Sequence, residues 1–483
     1  MNKKMIGKLV GVLFFLEALF MLPAIAVCFV YGETGAPLRG FLWTVALLLA
    51  LSGALYGVCA KATREFYAKE GFIIVALGWI LLSAMGALPF YISGEIPHYV
   101  DAFFETVSGF TTTGASVLTD VEAMSHGLLY WRSFTHWVGG MGVLVFVMVL
   151  TSFDKNSMVL MRAEVPGPEK DKLAPKMMTN ARILYGMYLG LTVIQVILLL
   201  FGGMNLFDSL IHTFGTAGTG GFSNYALSVA HFESAYIDGV ITVFMILFGI
   251  NFSLYYLLLL REFKPVWKNE ELRTYLGIIL AAALIITANI NYIYGNPLTS
   301  FRYAIFQVAS IITTTGFATA NYVEWPMLSQ TILMFLMVVG ACASSTGGGI
   351  KVSRLIMAVK SIKRSIQQMV HPKSVNIIRV NGKKVSSDVL RTVYVFLIAY
   401  ALIFMLSVMI VAVDNFDFTT TFSAVLTTIG NVGPGMELVG PLGSFAEFSP
   451  LSKLVFCFDM LAGRLEIFPF LLLFTVPFRR NKF

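Results

Sequence analysis

The chain contains little charge. Only 13% of its 483 residues are Asp, Glu, Lys or Arg, whereas 57% are hydrophobic. A soluble domain of this length needs a largely polar surface, so this composition excludes one. Apolar runs of about 20 residues recur, which is the length that crosses a hydrocarbon core of about 30 Å. We therefore expect an all-α membrane protein.

The residues that usually carry catalysis are also scarce. The four cysteines have no CxxC spacing and lie in apolar segments, which predicts small buried side chains rather than a metal or redox site. The sequence has no Walker loop, no HExxH motif and no Ser/His/Asp set at a recognisable spacing. These absences predict that the chain is not an enzyme and has no nucleotide site of its own.

The net charge of +7 is concentrated in separate basic clusters. These comprise Lys3-Lys4-Lys8, Lys61-Arg64-Lys69, Lys155 to Arg182, Arg261-Lys264-Lys268, Lys351 to Arg391, and Arg479-Arg480-Lys482. Acidic residues such as Glu95, Asp120 and Glu437 lie in the segments between the clusters. The positive-inside rule then places the basic clusters and both termini in the cytoplasm, so we do not expect nucleic-acid binding.

Four short stretches rich in threonine and glycine recur along the chain, and we call them the first to fourth Thr/Gly loops. They comprise residues 109–115, 216–221, 312–317 and 428–434. Each follows a short amphipathic segment and precedes a long apolar run. Alignment on Gly114, Gly220, Gly316 and Gly433 gives spacings of 106, 96 and 117 residues. A repeat of this length is a structural unit in its own right.

The hydropathy pattern predicts two spans near 9–31 and 38–60, followed by four copies of a span, a re-entrant half-helix, a loop and a second span. The expected units are 1–66, 67–160, 161–265, 266–372 and 373–483. The paired spans are expected near 70–92 and 130–152, 182–203 and 235–261, 273–294 and 327–357, and 390–412 and 450–477. The half-helices are expected near 100–111, 206–214, 300–312 and 418–428. With about a dozen residues each, they are too short to cross a membrane. Four such units around one axis would surround one pore.

The Thr/Gly loops suit the binding of a dehydrated monovalent cation. Glycine permits backbone angles that point successive carbonyl oxygens the same way, and such oxygens can replace the water shell of a potassium ion. The carboxyl end of a half-helix adds a negative partial charge. The candidate filter residues are Thr112, Thr113, Gly114, Gly218, Thr219, Gly220, Thr314, Thr315, Gly316, Asn431, Val432 and Gly433.

The second span of the third copy contains an interruption at residues 340–351, with Gly347, Gly348 and Gly349 in a row and Lys351 close behind. Three glycines in a helix interior favour a break. The pattern predicts a gating loop below the filter that obstructs the pore. Close packing of small residues between helices is the alternative.

Arg464 lies within the predicted last span. Charges inside a membrane are costly and by default functional. We expect Arg464 below the filter, where its charge slows cations and pairs with the gating loop. The alternative is an ion pair with Glu466 or Asp459 at the membrane edge.

Histidine and the cytoplasmic stretches receive simpler interpretations. His136 lies between Trp131 and Trp137, which predicts a place in an interfacial aromatic belt. The stretches 153–181 and 358–388 are long, basic and polar. Residues 375–385 alternate apolar with polar residues around an Asn-Gly pair, which is typical of a small hairpin. This segment is a candidate docking surface, although a simple solvated loop is equally compatible.

The four Thr/Gly loops, the glycine-rich break and the stretch Gly-Arg-Leu-Glu-Ile-Phe at 463–468 together resemble the Trk/Ktr/HKT superfamily of potassium transporters. The two additional N-terminal spans resemble its TrkH-type branch, and the resemblance covers essentially the whole chain. It implies potassium uptake across the bacterial cytoplasmic (inner) membrane, with potassium bound in the filter. It also implies a lipid-embedded homodimer with one pore per subunit, and a cytosolic TrkA-like regulator that carries the nucleotide-binding domains. Potassium:proton or sodium-coupled symport stays open as the alternative.

Overall fold

The computed structural model describes residues 2–60, 68–151, 177–374 and 376–475. Helices dominate these ranges. In chain order they are α1 Lys3–Val30, α2 Ala36–Val58, α3 Ala68–Gly86, α4 Leu88–Ser93, α5 Tyr99–Phe110, α6 His126–Thr151, α7 Met177–Phe201, α8 Leu206–Gly218, α9 Ala235–Phe248, α10 Phe252–Leu259, α11 Phe263–Trp267, α12 Glu270–Tyr294, α13 Pro297–Ile312, α14 Met327–Val339, α15 Val352–Val370, α16 Ser387–Val411, α17 Phe418–Gly430, α18 Pro450–Arg464 and α19 Phe468–Thr475. The predicted unit boundaries at 66/67 and 160/161 lie outside the described residues.

Within the described ranges, six helices are long and apolar enough to cross a membrane, which confirms the all-α membrane class. They are Lys3–Val30, Ala36–Val58, Glu70–Ser93, Ile183–Phe201, Glu270–Tyr294 and Ser387–Asp414. Their outward faces leave large apolar side chains such as Leu280 and Ile398 exposed, as expected of a surface that faces lipid. The predicted spans at these positions are therefore confirmed.

Two predicted spans are broken in the structure, so their prediction as continuous helices is wrong. The span expected at 235–261 ends at Phe248 and resumes at Phe252, and the two halves meet at 93°. Asn251 accounts for the restart because its side chain accepts the Ser253 amide at 2.9 Å and so caps α10. The span expected at 450–477 ends at Arg464 and resumes at Phe468.

The interruption predicted in the third copy is present. Helix α14 ends at Val339, α15 begins at Val352, and the residues between them are non-helical. We call residues 340–351 the intramembrane loop. Gly340 and Gly349 have φ angles of 73° and 74°, and an added Cβ on Gly340 would lie 2.9 Å from the Gly349 Cα. The two ends of the loop are therefore in contact.

Four short helices precede the Thr/Gly loops: α5, α8, α13 and α17, of 12, 13, 16 and 13 residues. Three begin with a side-chain cap, supplied by Asn205, Asn296 and Asp417. Hydrogen bonds from the side chain and amide of Thr420 lower the pKa of Asp417, so this cap is ionised. Each short helix packs against longer ones, and α5 lies between α3, α6 and α18.

The stretch after α15, which the sequence predicts to be cytoplasmic, forms a hairpin. Strand β1, Arg379–Val380, pairs antiparallel with β2, Lys383–Lys384. Asn381 and Gly382 between them have φ angles of 49° and 75°, the turn that an Asn-Gly pair favours. The hairpin is tied to α12 because the Asn381 side chain accepts the Glu270 amide at 2.7 Å. Val375 of the predicted hairpin and residues 153–176 of the other long basic stretch lie outside the described residues.

Candidate functional site

The four Thr/Gly loops share one backbone conformation. Each contains a residue in the left-handed region followed two positions later by a glycine with positive φ. These pairs are Thr112 and Gly114, Thr219 and Gly221, Thr314 and Gly316, and Asn431 and Gly433. The residue between them donates its amide to the carbonyl five residues earlier at 2.8–2.9 Å in all four loops. The same turn is therefore built four times.

This geometry corrects the sequence alignment of the second loop. Gly221, rather than Gly220, is equivalent to Gly114, Gly316 and Gly433, so the matching triplet is Thr219-Gly220-Gly221 and Gly218 is the last residue of α8. Two adjacent glycines made the sequence ambiguous by one position. Gly220 lies against the ring of His136, where an added Cβ would collide with the imidazole.

The four loops contact one another in a closed ring. A Cβ added to each loop glycine would collide with a backbone carbonyl oxygen of the next loop. The pairs are Gly114 with Gly220, Gly221 with Thr315, Gly316 with Val432, and Gly433 with Thr113. The first loop thus touches the second, the second the third, the third the fourth, and the fourth the first. One cavity of about 130 Å³ is lined by all four glycines. The structure therefore brings the four loops together around one axis.

Buried side chains hold the loops in place. The hydroxyls of Thr111 and Thr113 lie 2.8 Å apart, and those of Thr313 and Thr315 lie 2.7 Å apart. In the fourth loop the Asn431 side chain donates to the Thr113 hydroxyl at 3.0 Å. Gly430 and Val432 stand at the positions of the paired hydroxyls in the fourth loop, and Asn431 instead joins this loop to the first.

The intramembrane loop lies directly against the ring. The Gly348 amide donates to the Thr314 hydroxyl at 2.7 Å. An added Cβ on Gly347 would lie 2.8 Å from the Thr313 carbonyl oxygen. Lys351 is buried, and its ammonium group donates to the Gly347 carbonyl within the loop. The structure thus brings the predicted glycines and Lys351 next to the third Thr/Gly loop.

The break between α9 and α10, which the sequence analysis missed, receives the intramembrane loop. The Cys342 amide donates to the Gly249 carbonyl, and the Phe252 amide donates to the Ser344 carbonyl, both at 3.1 Å. Interrupting α9 at this position frees backbone groups that the loop then satisfies. The two breaks are therefore complementary.

Glu271 on α12 binds the backbone on both sides of the Gly347–Gly349 run, and the sequence analysis did not single it out. Its Oε1 accepts the Ala343 amide at 2.7 Å and the Ser353 amide at 3.1 Å. An acidic residue in the first turn of a helix is common because it interacts favourably with the helix dipole. The sequence therefore gave no signal that distinguishes Glu271 from an ordinary surface residue.

Arg464 contacts the intramembrane loop and the helix behind the first Thr/Gly loop. Its two terminal nitrogens donate to the Thr346 carbonyl at 2.7 Å and to the Gly139 carbonyl at 2.8 Å. Glu466 forms its ion pair with Arg354 at 2.5 Å, and Asp459 accepts a hydrogen bond from Ser407 at 2.7 Å. The geometry therefore favours the loop contact over the membrane-edge alternative.

His136 does not lie in an interfacial belt, so that prediction is wrong. The side chain is fully buried, and its Nδ1 lies 2.8 Å from the Gly109 carbonyl oxygen. Its ring packs on Phe222, with centroids 4.1 Å apart. His136 thus fills the space between the first and second Thr/Gly loops.

Comparison with known proteins gives consistent matches along the whole chain. The family model described as TrkH, cation transport protein, matches residues 39–288 and 280–483. The Trk system potassium uptake protein TrkH of Salmonella typhimurium is 37% identical over 488 residues, which cover 100% of both chains. The Trk system potassium uptake protein TrkG of Escherichia coli K12 is 33% identical and covers 99% of each chain. The crystal structure of the potassium transporter TrkH from Vibrio parahaemolyticus superposes with a TM-score of 0.89 at 32% identity, over 99% of this chain and 100% of that one.

Proposed function

Because the chain belongs to the TrkH family of cation transport proteins, we propose that it takes up potassium across the bacterial inner membrane through a pore surrounded by the four Thr/Gly loops. The family consists of transporters rather than enzymes. The observation that carries the proposal is the closed ring, in which each loop glycine lies against a carbonyl of the next loop. The relatives named as potassium uptake proteins support the choice of ion.

The proposed filter works through backbone carbonyl oxygens. A potassium ion exchanges its water shell for such oxygens when several converge at a suitable distance. The filter consists of the predicted residues with the register of the second loop corrected, so that Gly221 takes the place of Gly218. Each short helix ends directly before its loop, so its negative carboxyl end favours a cation at the ring. Each of the four predicted units would contribute one quarter of the filter. The units are 67–160, 161–265, 266–372 and 373–483.

The proposed gate is the intramembrane loop. Its contacts with Thr314 and Arg464 hold it against the ring, and Lys351 adds a buried cation nearby. Positive charge on the conduction path raises the energy of a passing cation. Opening would require the loop to leave these contacts.

The proposed assembly is a homodimer in membrane lipid with both termini in the cytoplasm, controlled by a TrkA-like nucleotide-binding regulator. The name "Trk system" of the relatives supports a partnership with further subunits. The hairpin and the cytoplasmic part of α15 carry exposed lysines and form the proposed docking surface. A regulator shifts the loop only if it binds the open and closed states with different affinity.

Flux through the purified protein in liposomes tests the proposed function. We expect a potassium current that reverses at the potassium equilibrium potential at every imposed pH gradient, and that is absent from empty liposomes. A reversal potential that follows the proton gradient would contradict a simple pore. Absence of potassium flux under all conditions would contradict the transport function itself.

Potassium:proton symport is the second candidate, and one observation favours it. Glu17 in α1 is 1% exposed, and neither of its carboxylate oxygens has a hydrogen-bond partner among the described residues. Acidic residues inside a membrane span are by default functional, and proton relays use such residues. If symport is correct, Glu17→Gln should abolish potassium accumulation driven by a pH gradient and leave potassium binding intact.

A further inference from the structure

Each of the four short helices carries one buried polar side chain that reaches the segment leaving its Thr/Gly loop. These side chains are Glu105, His212, Gln307 and Ser423, all no more than 1% exposed. The first three lie at the same position relative to the loop glycine, and Ser423 lies one position earlier. Unpaired polar groups are costly in a buried site, so the partners of these side chains matter.

In three loops the partner is the same backbone amide. Glu105 accepts from the Val117 amide at 2.9 Å, and Ser423 accepts from the Met436 amide at 3.0 Å. Gln307, with its oxygen turned towards the backbone, accepts from the Thr319 amide at 2.9 Å. Each of these amides belongs to the third residue after the loop glycine. The side chains therefore act as bridges from the helix to the loop exit.

The second loop has a bridge through a serine. His212 Nε2 lies 3.0 Å from the hydroxyl of Ser223, the second residue after Gly221. The equivalent serine of the first loop, Ser116, donates its hydroxyl to Glu105 at 2.9 Å. All four loop exits are thus fastened to their own helices, although the four side chains differ in chemistry.

Arg132 connects the first bridge to the residues that follow the second loop. Arg132 donates from Nε to Glu105 at 2.6 Å and from Nη1 to the Ser223 carbonyl at 3.1 Å. Its guanidinium carbon lies 3.4 Å from the ring centre of Phe222. Arg132 and Glu105 are both almost fully buried, and a buried ion is stable only when its partner stays in place. The pair therefore fixes the distance between the first and second loop exits.

We propose that Glu105, His212, Gln307 and Ser423 are positioning residues that fix the outer edge of the ring, and that the Glu105–Arg132 pair sets ion preference at the junction of the first two loops. This inference rests on the proposed potassium-conducting function. A ring of carbonyl oxygens distinguishes potassium from sodium only while the spacing and field of its oxygens are maintained. The bridges hold the backbone immediately beyond that ring. Removal of one bridge therefore allows the adjoining Thr/Gly loop to contract around the smaller sodium ion.

The test measures the ratio of rubidium to sodium uptake, with rubidium as the probe for potassium, by purified variants in liposomes. Glu105→Ala removes the first bridge, and we expect the ratio to fall about tenfold. Glu105→Gln and Ser116→Ala each remove only part of the bridge, and we expect falls of about threefold. Asp101→Asn is the matched control, because Asp101 lies on the same helix and pairs with Lys453 at 2.7 Å rather than with the loop exit. It should leave the ratio unchanged.

Thermal unfolding of each variant separates positioning from general stability. If Glu105→Ala does not fold, the two milder variants decide the question. A wild-type ratio in folded Glu105→Gln and Ser116→Ala, even with reduced total uptake, would overturn the inference. An equal fall in Asp101→Asn would overturn it as well. If the wild-type protein itself shows no preference for rubidium over sodium, the proposed function fails and not the positioning role.

Discussion

Substitution of Gly316 by serine should reduce the preference for potassium over sodium while the protein still folds and inserts. Gly316 has a φ of +83°, which costs a non-glycine residue about 1–2 kcal/mol. An added Cβ would lie 2.7 Å from the Pro434 ring and closer still to the Val432 carbonyl oxygen. Ordinary contacts begin at 3.4 Å, so the oxygen must move away. If the difference between the potassium and sodium binding free energies falls by about 1.4 kcal/mol, the ion preference falls tenfold. We expect at least this change.

Gly295→Ser is the matched control for this experiment. Gly295 also has positive φ, at +65°, but nothing lies within 4 Å of an added Cβ. The control therefore introduces similar backbone strain without touching the ring. Competition uptake of potassium against sodium, with thermal unfolding of both variants, gives the comparison. Unchanged preference in a normally expressed Gly316→Ser protein would remove the third loop from the filter. An equal loss in Gly295→Ser would show that strain, rather than the carbonyl contact, is responsible.

Three further predictions concern the gate and its control. Deletion of residues 343–348 should raise basal cation flux in the absence of a regulator. Arg464→Ala should raise it too, because the intramembrane loop loses the hydrogen bond at the Thr346 carbonyl. Lower flux in both variants would mean that the loop supports the pore. Glu271→Gln weakens two hydrogen bonds from backbone amides, each worth about 1 kcal/mol. Cation flux should therefore rise several-fold in the same liposome assay. Unchanged flux would show that Glu271 does not hold the intramembrane loop closed. Simultaneous neutralisation of five basic residues should uncouple flux from the nucleotide state of the regulator and leave ion preference intact, whereas a full nucleotide response with normal binding would contradict the docking surface. The five are Lys363, Arg364, Lys373, Lys383 and Lys384.

The sequence was sufficient for features that depend on local composition. Six apolar spans, the interruption in the third copy and the Asn-Gly hairpin all follow from hydropathy or from the backbone preferences of glycine and asparagine. The four short helices were also placed close to their observed positions, although α8 extends to Gly218, beyond its predicted end at Phe214. Apolar side chains and glycines carry these signals directly.

The sequence was insufficient wherever backbone geometry depends on distant contacts. The break after α18 places Glu466 and the β-branched Ile467 at φ angles of 53° and 66°, which no local preference predicts. The bend at Gly249 exists because the intramembrane loop, about a hundred residues later, supplies its hydrogen-bond partners. The register of the second Thr/Gly loop was ambiguous because Gly220 and Gly221 are identical in type, and only their φ angles and ring contacts in the folded chain distinguish them.

The ring affects how the sequence of such a protein can evolve. One polypeptide supplies all four quarters, whereas in an assembly of four identical chains any substitution would appear four times around the axis. Here a single substitution alters one quarter, as Asn431 shows by taking a position that threonine occupies in the other three loops. If the ring is the ion filter, as we propose, ion preference can shift in small steps, each tolerated while the other three loops stay constant. A filter of this kind admits gradual adjustment where a fourfold-symmetric one would face an abrupt change.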